Sequence, residues 1–360
     1  MGLPEILIEF KTKAETAIRR SQNGTVAVIL IDDTKTGDSN ASYCYATAAD
    51  SGISSSWNAA NKRYLNLIFA GSPKAVLVER VNTTTTEDST SFSLDDALAR
   101  LKNKNWNWLT IPGIAQDQVC DLSDWIKAQR SAKKTFKAVL PNCASNDEGI
   151  VNFTTTGIKC GTVTYTTEEY CARVAGLLAG LSMTESATYQ VLPEVTSITE
   201  SVTPDADIDA GRFILINDGE KIKVASGINS LATLSGDKTE DMKSIKIVEG
   251  MDLIRDDIRA AFESNYIGIN NSYDNKMMFV AAVNQYFDGL VRQGVLYGEA
   301  DNVADIDVDT QRDWLSERYV ITDYTDDQIR KAKTGKYVFV TADITFVDAI
   351  ENLRFGINMQ

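Results

Sequence analysis

Chemistry in a protein needs acids, bases, nucleophiles or metal ligands at workable spacing, and carboxylates are the main supply here. DADIDAG (205–211) and DNVADIDVDTQRDW (301–314) carry acids at i, i+2 spacing, as Ca²⁺ loops do. Neither matches D-x-[DN]-x-[DN]-G with Glu at the twelfth position, so both read as solvated acidic loops. Asp256 and Asp257 are adjacent on an expected helix and do not face one another as a catalytic dyad would. The five cysteines, Cys44, Cys120, Cys143, Cys160 and Cys171, include no C-x-x-C pair. They read as buried or half-buried free thiols. Histidine is absent, which removes His-based acid–base catalysis, His triads and His metal sites. Carboxylate, Lys, Cys or Tyr chemistry stays open. No catalytic, cofactor or metal site emerges.

No strand is followed by G-x-G-x-x-G opening a helix, and no G-x-x-x-x-G-K-[ST] occurs, so neither nucleotide-binding fingerprint is met. GINSLATLSGDK from Gly227 has glycines at the wrong spacing and reads as a hairpin region. The formal charge of −14 opposes a nucleic-acid groove, which needs a basic footprint. It suits solubility and partners with basic patches. No apolar run approaches the ~20 residues of a membrane span, and no signal peptide is evident at the N-terminus. Folding in the cytoplasm is expected.

The elements that position these residues fall into two styles. TVAVILI (25–31) is a short continuous apolar run, the pattern of a strand covered on both faces. Residues 43–56 read as irregular and NAANKRYLNLIF as a helix. KAVLVERV is a strand, and SLDDALARLKN is a helix capped by Ser93 with Asp96 three residues on. WNWLTIP, DQVCDLSDWIKAQRSAKK and TFKAVLP read as strand, helix and strand, a βαβ crossover with a parallel pair. TEEYCARVAGLLAGLSM is a further helix capped by Thr166 or Thr167. Trp106, Trp108 and Trp125 lie in these elements as core residues.

Composition shifts at 195–212, which is rich in Thr, Ser and Asp and reads as a linker. Beyond it, RFILINDGEKIKV is two strands about an Asn217-Asp218-Gly219 turn. Two amphipathic helices follow, 246–264 and 275–293. On the first, Ile247, Met251, Ile254, Ile258, Ala261 and Phe262 form the apolar stripe, with Asp252, Arg255, Asp256, Arg259 and Glu263 off it. The last segment, KYVFVTADITFVDAIENLRFGINMQ, is strand-like throughout, with its apolar parity switching near 348–352. The fold class is therefore α/β plus α+β: a strand arm (1–23), an α/β domain (24–200) and an α+β domain (201–360). At both ends apolar residues alternate: Ile6, Ile8 and Phe10 in the first strand, and Leu353, Phe355, Ile357 and Met359 in the last.

GRFILIND, MKSIKIVEGMDLIRDDIRAAFESNYIGINNSYDNKMMFVAAVNQYFDGLVRQGVL and YVFVTADITFVDAIENLRFGINM resemble, in that order, the C-terminal domain of contractile phage tail sheath proteins, most of all those of myophage-like particles and R-type bacteriocins. GLPEILIEFKTKAETAIRRSQNGTVAVIL resembles their N-terminus. The resemblance spans roughly residues 1–35 and 205–360. It implies a non-enzymatic structural subunit, without cofactor, in a virion tail or tail-like particle assembled in the bacterial cytoplasm and released by lysis. It implies hexameric rings of this chain stacked around an inner tail tube protein, bounded by baseplate and tail terminator proteins. It also implies that Ile6, Ile8, Phe10, Leu353, Phe355, Ile357 and Met359 lie on strands donated to neighbouring subunits. AETAIRRSQNG and DAIEN would be the hinges, and a C-terminal-domain helix would line the tube. Asp252, Arg255, Asp256, Arg259 and Glu263 are the candidate tube contacts. The residues alone leave two other readings: an α/β enzyme using carboxylates, or a binding module, either forming a small oligomer through its terminal strands.

Overall fold

Residues 25–31 form the inner strand of a largely parallel sheet. The computed structural model describes residues 24–33, 41–82 and 93–357. They fall into two compact units, one running to Glu249 and taking back residues 349–357, the other covering 250–348.

In the first unit the strands are β1 (Thr25–Ile31), β2 (Ser42–Tyr45), β3 (Ala75–Val81), β4 (Trp108–Thr110), β5 (Lys137–Pro141), β6 (Ile150–Phe153), β7 (Thr156–Cys160), β8 (Val163–Tyr165), β9 (Ser197–Thr199), β10 (Arg212–Phe213), β11 (Leu215–Asn217) and β12 (Ile222–Val224). A seven-stranded sheet runs β10-β6-β5-β4-β1-β3-β2. Every pair in it is parallel except β2–β3. The apolar run of β1 has no polar face because both faces are covered. Val26, Val28 and Leu30 pack with helices Ala59–Phe69 and Thr167–Gly180. Ala27 and Ile29 pack with helices Leu94–Leu101 and Gln116–Ser131. Ser93 and Thr166 each close a full capping box, with Asp96 and Glu169. Trp106 stacks on Phe136 at 3.8 Å.

Helices Ala59–Phe69 and Thr167–Gly180 meet through glycine. A Cβ on Gly176 would sit 2.1 Å from Ile68 O, and one on Gly180 would sit 1.6 Å from Gly71 O. Hydrogen at these positions is what lets the backbones touch. On β3, Glu79 is fully buried and neutralised by Arg100 Nε and Lys104 Nζ, both at 2.6 Å, while Ser42 Oγ donates to it at 2.8 Å.

Several sequence expectations change. Residues 43–56 contain β2 and helix Ser51–Ser56, whose Asp50 cap accepts from Gly52 N. The polar stretch 195–212 holds β9 and helix Pro204–Asp209, and β10 beyond it completes the large sheet beside β6. Packing therefore continues past residue 200 as far as Glu249. The region after Gly227 is no hairpin. Ser230 N donates to Ile150 O at 2.7 Å, fully buried Asn229 donates through Nδ2 to Met242 O at 2.7 Å, and Ile228 and Ser244 form an isolated antiparallel bridge, so this loop is held by scattered backbone bonds and one side chain instead of a regular hairpin ladder. Two of the five thiols, Cys44 and Cys120, are exposed; Cys143 and Cys171 are buried and Cys160 is half-buried.

The second unit is built on helix Tyr273–Arg292 and the 250–265 stretch of helix Ile245–Asn265. Phe262, Tyr266 and Phe279 form an edge-to-face aromatic cluster. β13 (Val303–Ile306) and β14 (Val340–Asp343) make a two-stranded antiparallel sheet. Asp307 caps helix Val308–Ser316, and Asp305 pairs with Arg330 at 2.6 Å. Of the acids of 301–314, Asp307 thus works as a cap and Asp305 in an ion pair.

Candidate assembly interface

The C-terminal segment carries four of the six most exposed large apolar side chains among the described residues. Ile350 is 99 % exposed, Leu353 85 %, Phe355 77 % and Ile357 75 %. The expected strand does not form across 351–357, which has no regular secondary structure. Alternation alone makes no strand; a backbone partner is required, and none is present among the described residues. The strand-like run before it is correspondingly shortened to β14. After β14, Tyr297 N donates to Thr345 O at 2.8 Å and Val347 N to Val295 O at 3.0 Å. Further on, Glu351 Oε1 accepts from Thr188 Oγ1 at 2.6 Å and from Ser186 Oγ at 3.2 Å. Ile6, Ile8, Phe10 and Met359 lie outside the described residues, as does the hinge candidate AETAIRRSQNG apart from Gly24.

The charged candidates on helix Ile245–Asn265 separate. Asp256 and Glu263 are exposed, and Arg255 and Arg259 are partly buried. Asp252 is only 3 % exposed and lies 3.8 Å from Arg255. It shares a helical row with Ile245 and Val248, both buried, so the covered face is wider than the apolar stripe suggests. Asp252 is a structural carboxylate and not a surface contact.

Two features escaped the sequence reading. Tyr286 is buried and donates its hydroxyl to Asp257 Oδ2 at 2.8 Å; burial, with Asp257 beside it, pushes the phenol upward. Asn284, on the same helix, bonds the backbone of β13: Ala304 N donates to Asn284 Oδ1 at 2.6 Å, and Asn284 Nδ2 donates to Ala304 O at 3.0 Å. A lone Asn in an amphipathic helix carries no sequence signal for that role.

Among the described residues, no group of three or more acidic or thiol side chains could hold a metal ion. No helix among them is long and apolar enough to cross a membrane.

Comparison with known proteins adds to this geometry. Residues 237–360 match the phage tail sheath C-terminal domain, and residues 85–230 match the phage tail sheath protein central domain. The second match reaches into the middle of the chain, where the sequence offered only an α/β pattern. The tail sheath protein of Clostridium phage phiCD119 is 35% identical over 367 residues, covering 99% of each chain. Among solved structures, a sheath tail protein of Listeria innocua superposes with a TM-score of 0.70 at 15% identity, covering 95% of this chain and 99% of that one. The anti-feeding prophage helical sheath in its contracted state gives 0.67 at 14% identity, covering 95% and 96%.

Proposed function

Because this chain belongs to the phage tail sheath protein family, we propose that it polymerises as stacked hexameric rings around an inner tube and contracts to drive that tube through a target cell envelope. The observation that carries the reading is the pairing of a displayed apolar segment, Leu353, Phe355 and Ile357, with a short open sheet in the same chain. A strand donated from one subunit to the next joins them without a dedicated docking domain. Burial of four such side chains, Met359 included, is worth on the order of 6–12 kcal/mol before ordering costs. Residues near Ile6, Ile8 and Phe10 act as the second donated strand.

The finer assignments follow the same reading. Residues 348–352 act as a hinge, exposed apart from half-buried Ala349, with Glu351 bonded to Thr188 and Ser186. The outer part of the particle is residues 24–200 of the α/β unit, and the chain from residue 201 to 360 drives assembly. Arg255, Asp256, Arg259 and Glu263 face the tube; charge pairs of this kind release readily and are salt-sensitive. Baseplate and terminator proteins bound the sleeve. No nucleotide is consumed: energy is stored in a metastable extended lattice. The particle is assembled in the bacterial cytoplasm and released by lysis.

Electron microscopy of the purified full chain tests the proposal. Long sleeves are expected; a small closed oligomer of fixed size overturns it.

A further inference from the structure

Beside the last two strands of the large sheet, β6 and β10, lies an open cleft of about 620 Å³. Small-ligand sites run from about 300 to 1,000 Å³. The register sets its floor. Arg212 of β10 stands directly opposite Asn152 of β6, and Phe213 opposite Phe153. Both phenylalanines are fully buried in one core, so Arg212 and Asn152 share the other face of the sheet, where both line the cleft.

Asn152 is 2 % exposed, yet only half of its side chain is used. Cys143 N donates to its Oδ1 at 2.8 Å. A backbone N–H can only donate, so the end facing it is the oxygen and the amide nitrogen is the end left over. Among the described residues Asn152 Nδ2 has no acceptor. A buried donor is ordinarily satisfied, and the cleft is the space that can hold its acceptor. Arg212 brings further donors. Its Nη1 donates to Asp207 Oδ1 at 2.7 Å, and Ser201 Oγ donates to Asp207 Oδ2 at 2.5 Å. Nε and Nη2 of the half-exposed guanidinium are left for a ligand. Acceptors line the same cleft: Asp207 keeps lone pairs beyond these two bonds, and Glu200 adds an exposed carboxylate.

This mixture selects a class of ligand. An anion would meet two carboxylates, on a chain of net charge −14, and one guanidinium already paired to Asp207. A cation would face the N–H groups of Asn152 and Arg212. A hydroxyl both accepts and donates, so a ring carrying several can accept from Asn152 and Arg212 while donating to Asp207 and Glu200. Val202, 95 % exposed on the lining, offers an apolar contact to the C–H groups of such a ring. We propose that the cleft beside Asn152 and Arg212 binds a neutral saccharide, oriented by the buried Asn152 Nδ2. Such a site gives the large unit a recognition role separate from assembly.

The test uses the full unassembled chain and saturation-transfer NMR with glucose, maltose, N-acetylglucosamine and N,N′-diacetylchitobiose, each titrated into the millimolar range. The first two stand for free sugars and the last two for wall glycan, so the probe that binds identifies the source. At least one is expected to bind saturably. Asn152→Asp keeps the acceptor for Cys143 N and removes the donor; it is expected to weaken binding about tenfold, the worth of one hydrogen bond. If circular dichroism shows that this variant does not fold, Arg212→Met, at a half-exposed side chain, is expected to give a comparable loss. Saturable binding that the folded variants leave unchanged overturns the site. Displacement of the sugar by inorganic phosphate overturns the ligand class. If none of the probes binds saturably, the cleft holds water only and the proposal fails.

Discussion

Thr188 and Glu351, 163 positions apart in sequence, meet at 2.6 Å, and this contact is the anchor of an otherwise exposed tail. The described residues after it, 352–357, are all exposed. Deleting residues 353–360 should leave a folded, soluble subunit that cannot assemble, because residues 353–357 are exposed and pack in neither core. Circular dichroism reads the fold and sedimentation the assembly. Normal sleeves from the truncated chain would sink the idea.

Gly176 and Gly180 form the tightest joint in the large unit. In Gly180→Ala the new methyl would land 1.6 Å from Gly71 O, and backbone cannot step aside as a side-chain tip can. A loss of about 3 kcal/mol or more is expected, the range of severe overpacking. Gly113→Ala, at a positive φ but with open space about it, should cost only about 1 kcal/mol. Urea midpoints of the two variants give the comparison.

Charge reversal on the long helix should divide by burial. Asp256→Lys combined with Arg259→Glu should fold and form sleeves but engage the tube poorly, giving contracted or tube-free sleeves in micrographs. Asp252→Lys should instead destabilise the subunit, since its carboxylate is buried and an uncompensated buried charge costs roughly 3–5 kcal/mol. Normal extended particles from the double reversal at physiological salt would remove this helix as the tube contact.

The thiols should label in order. Cys44 and Cys120 are exposed and should alkylate first in native protein at pH 8. Burial pushes the Cys160 thiol up to about 11, so it stays protonated and slow, and the buried Cys143 and Cys171 slower still. In denaturant all five should react alike. Mass spectrometry after timed iodoacetamide exposure reads the sequence, and early loss of Cys171 would contradict it.

Acid sensitivity should localise partly to Asp305. The hydrogen bond from Arg330 holds its carboxyl below the usual carboxylate range. A folded value below the unfolded one means stability that is present above about pH 4 and lost as pH falls through the folded value. Asp305→Asn should therefore lose less of its urea midpoint than wild type between pH 5 and pH 2. Equal losses would show that the ion pair contributes nothing.

The sequence carried the local signals well where local physics decides. The run of β1 announced a sheet covered on both sides, and Ser93 and the Thr166-Thr167 pair announced helix starts, Thr166 proving to be the cap. It failed where the deciding partner is distant. Asp252 lies off the apolar stripe, yet it is buried because the covered face is broader than the apolar period shows. The alternation after Asp343 promised a strand as far as Met359, yet 351–357 pairs with no strand among the described residues. Asn284 looks like any polar helix residue until Ala304 arrives against it. The middle of the chain read only as α/β, since its helices and strands follow general patterning; its likeness to the sheath central domain lies in details too dispersed for any short motif.

Asn284 bonds both the amide and the carbonyl of Ala304 on β13. Backbone groups so occupied are closed to a stray chain, whereas unpaired groups on a strand edge are a template for aggregation. One helix side chain thus guards this stretch of β13 against accidental pairing when many copies are crowded together.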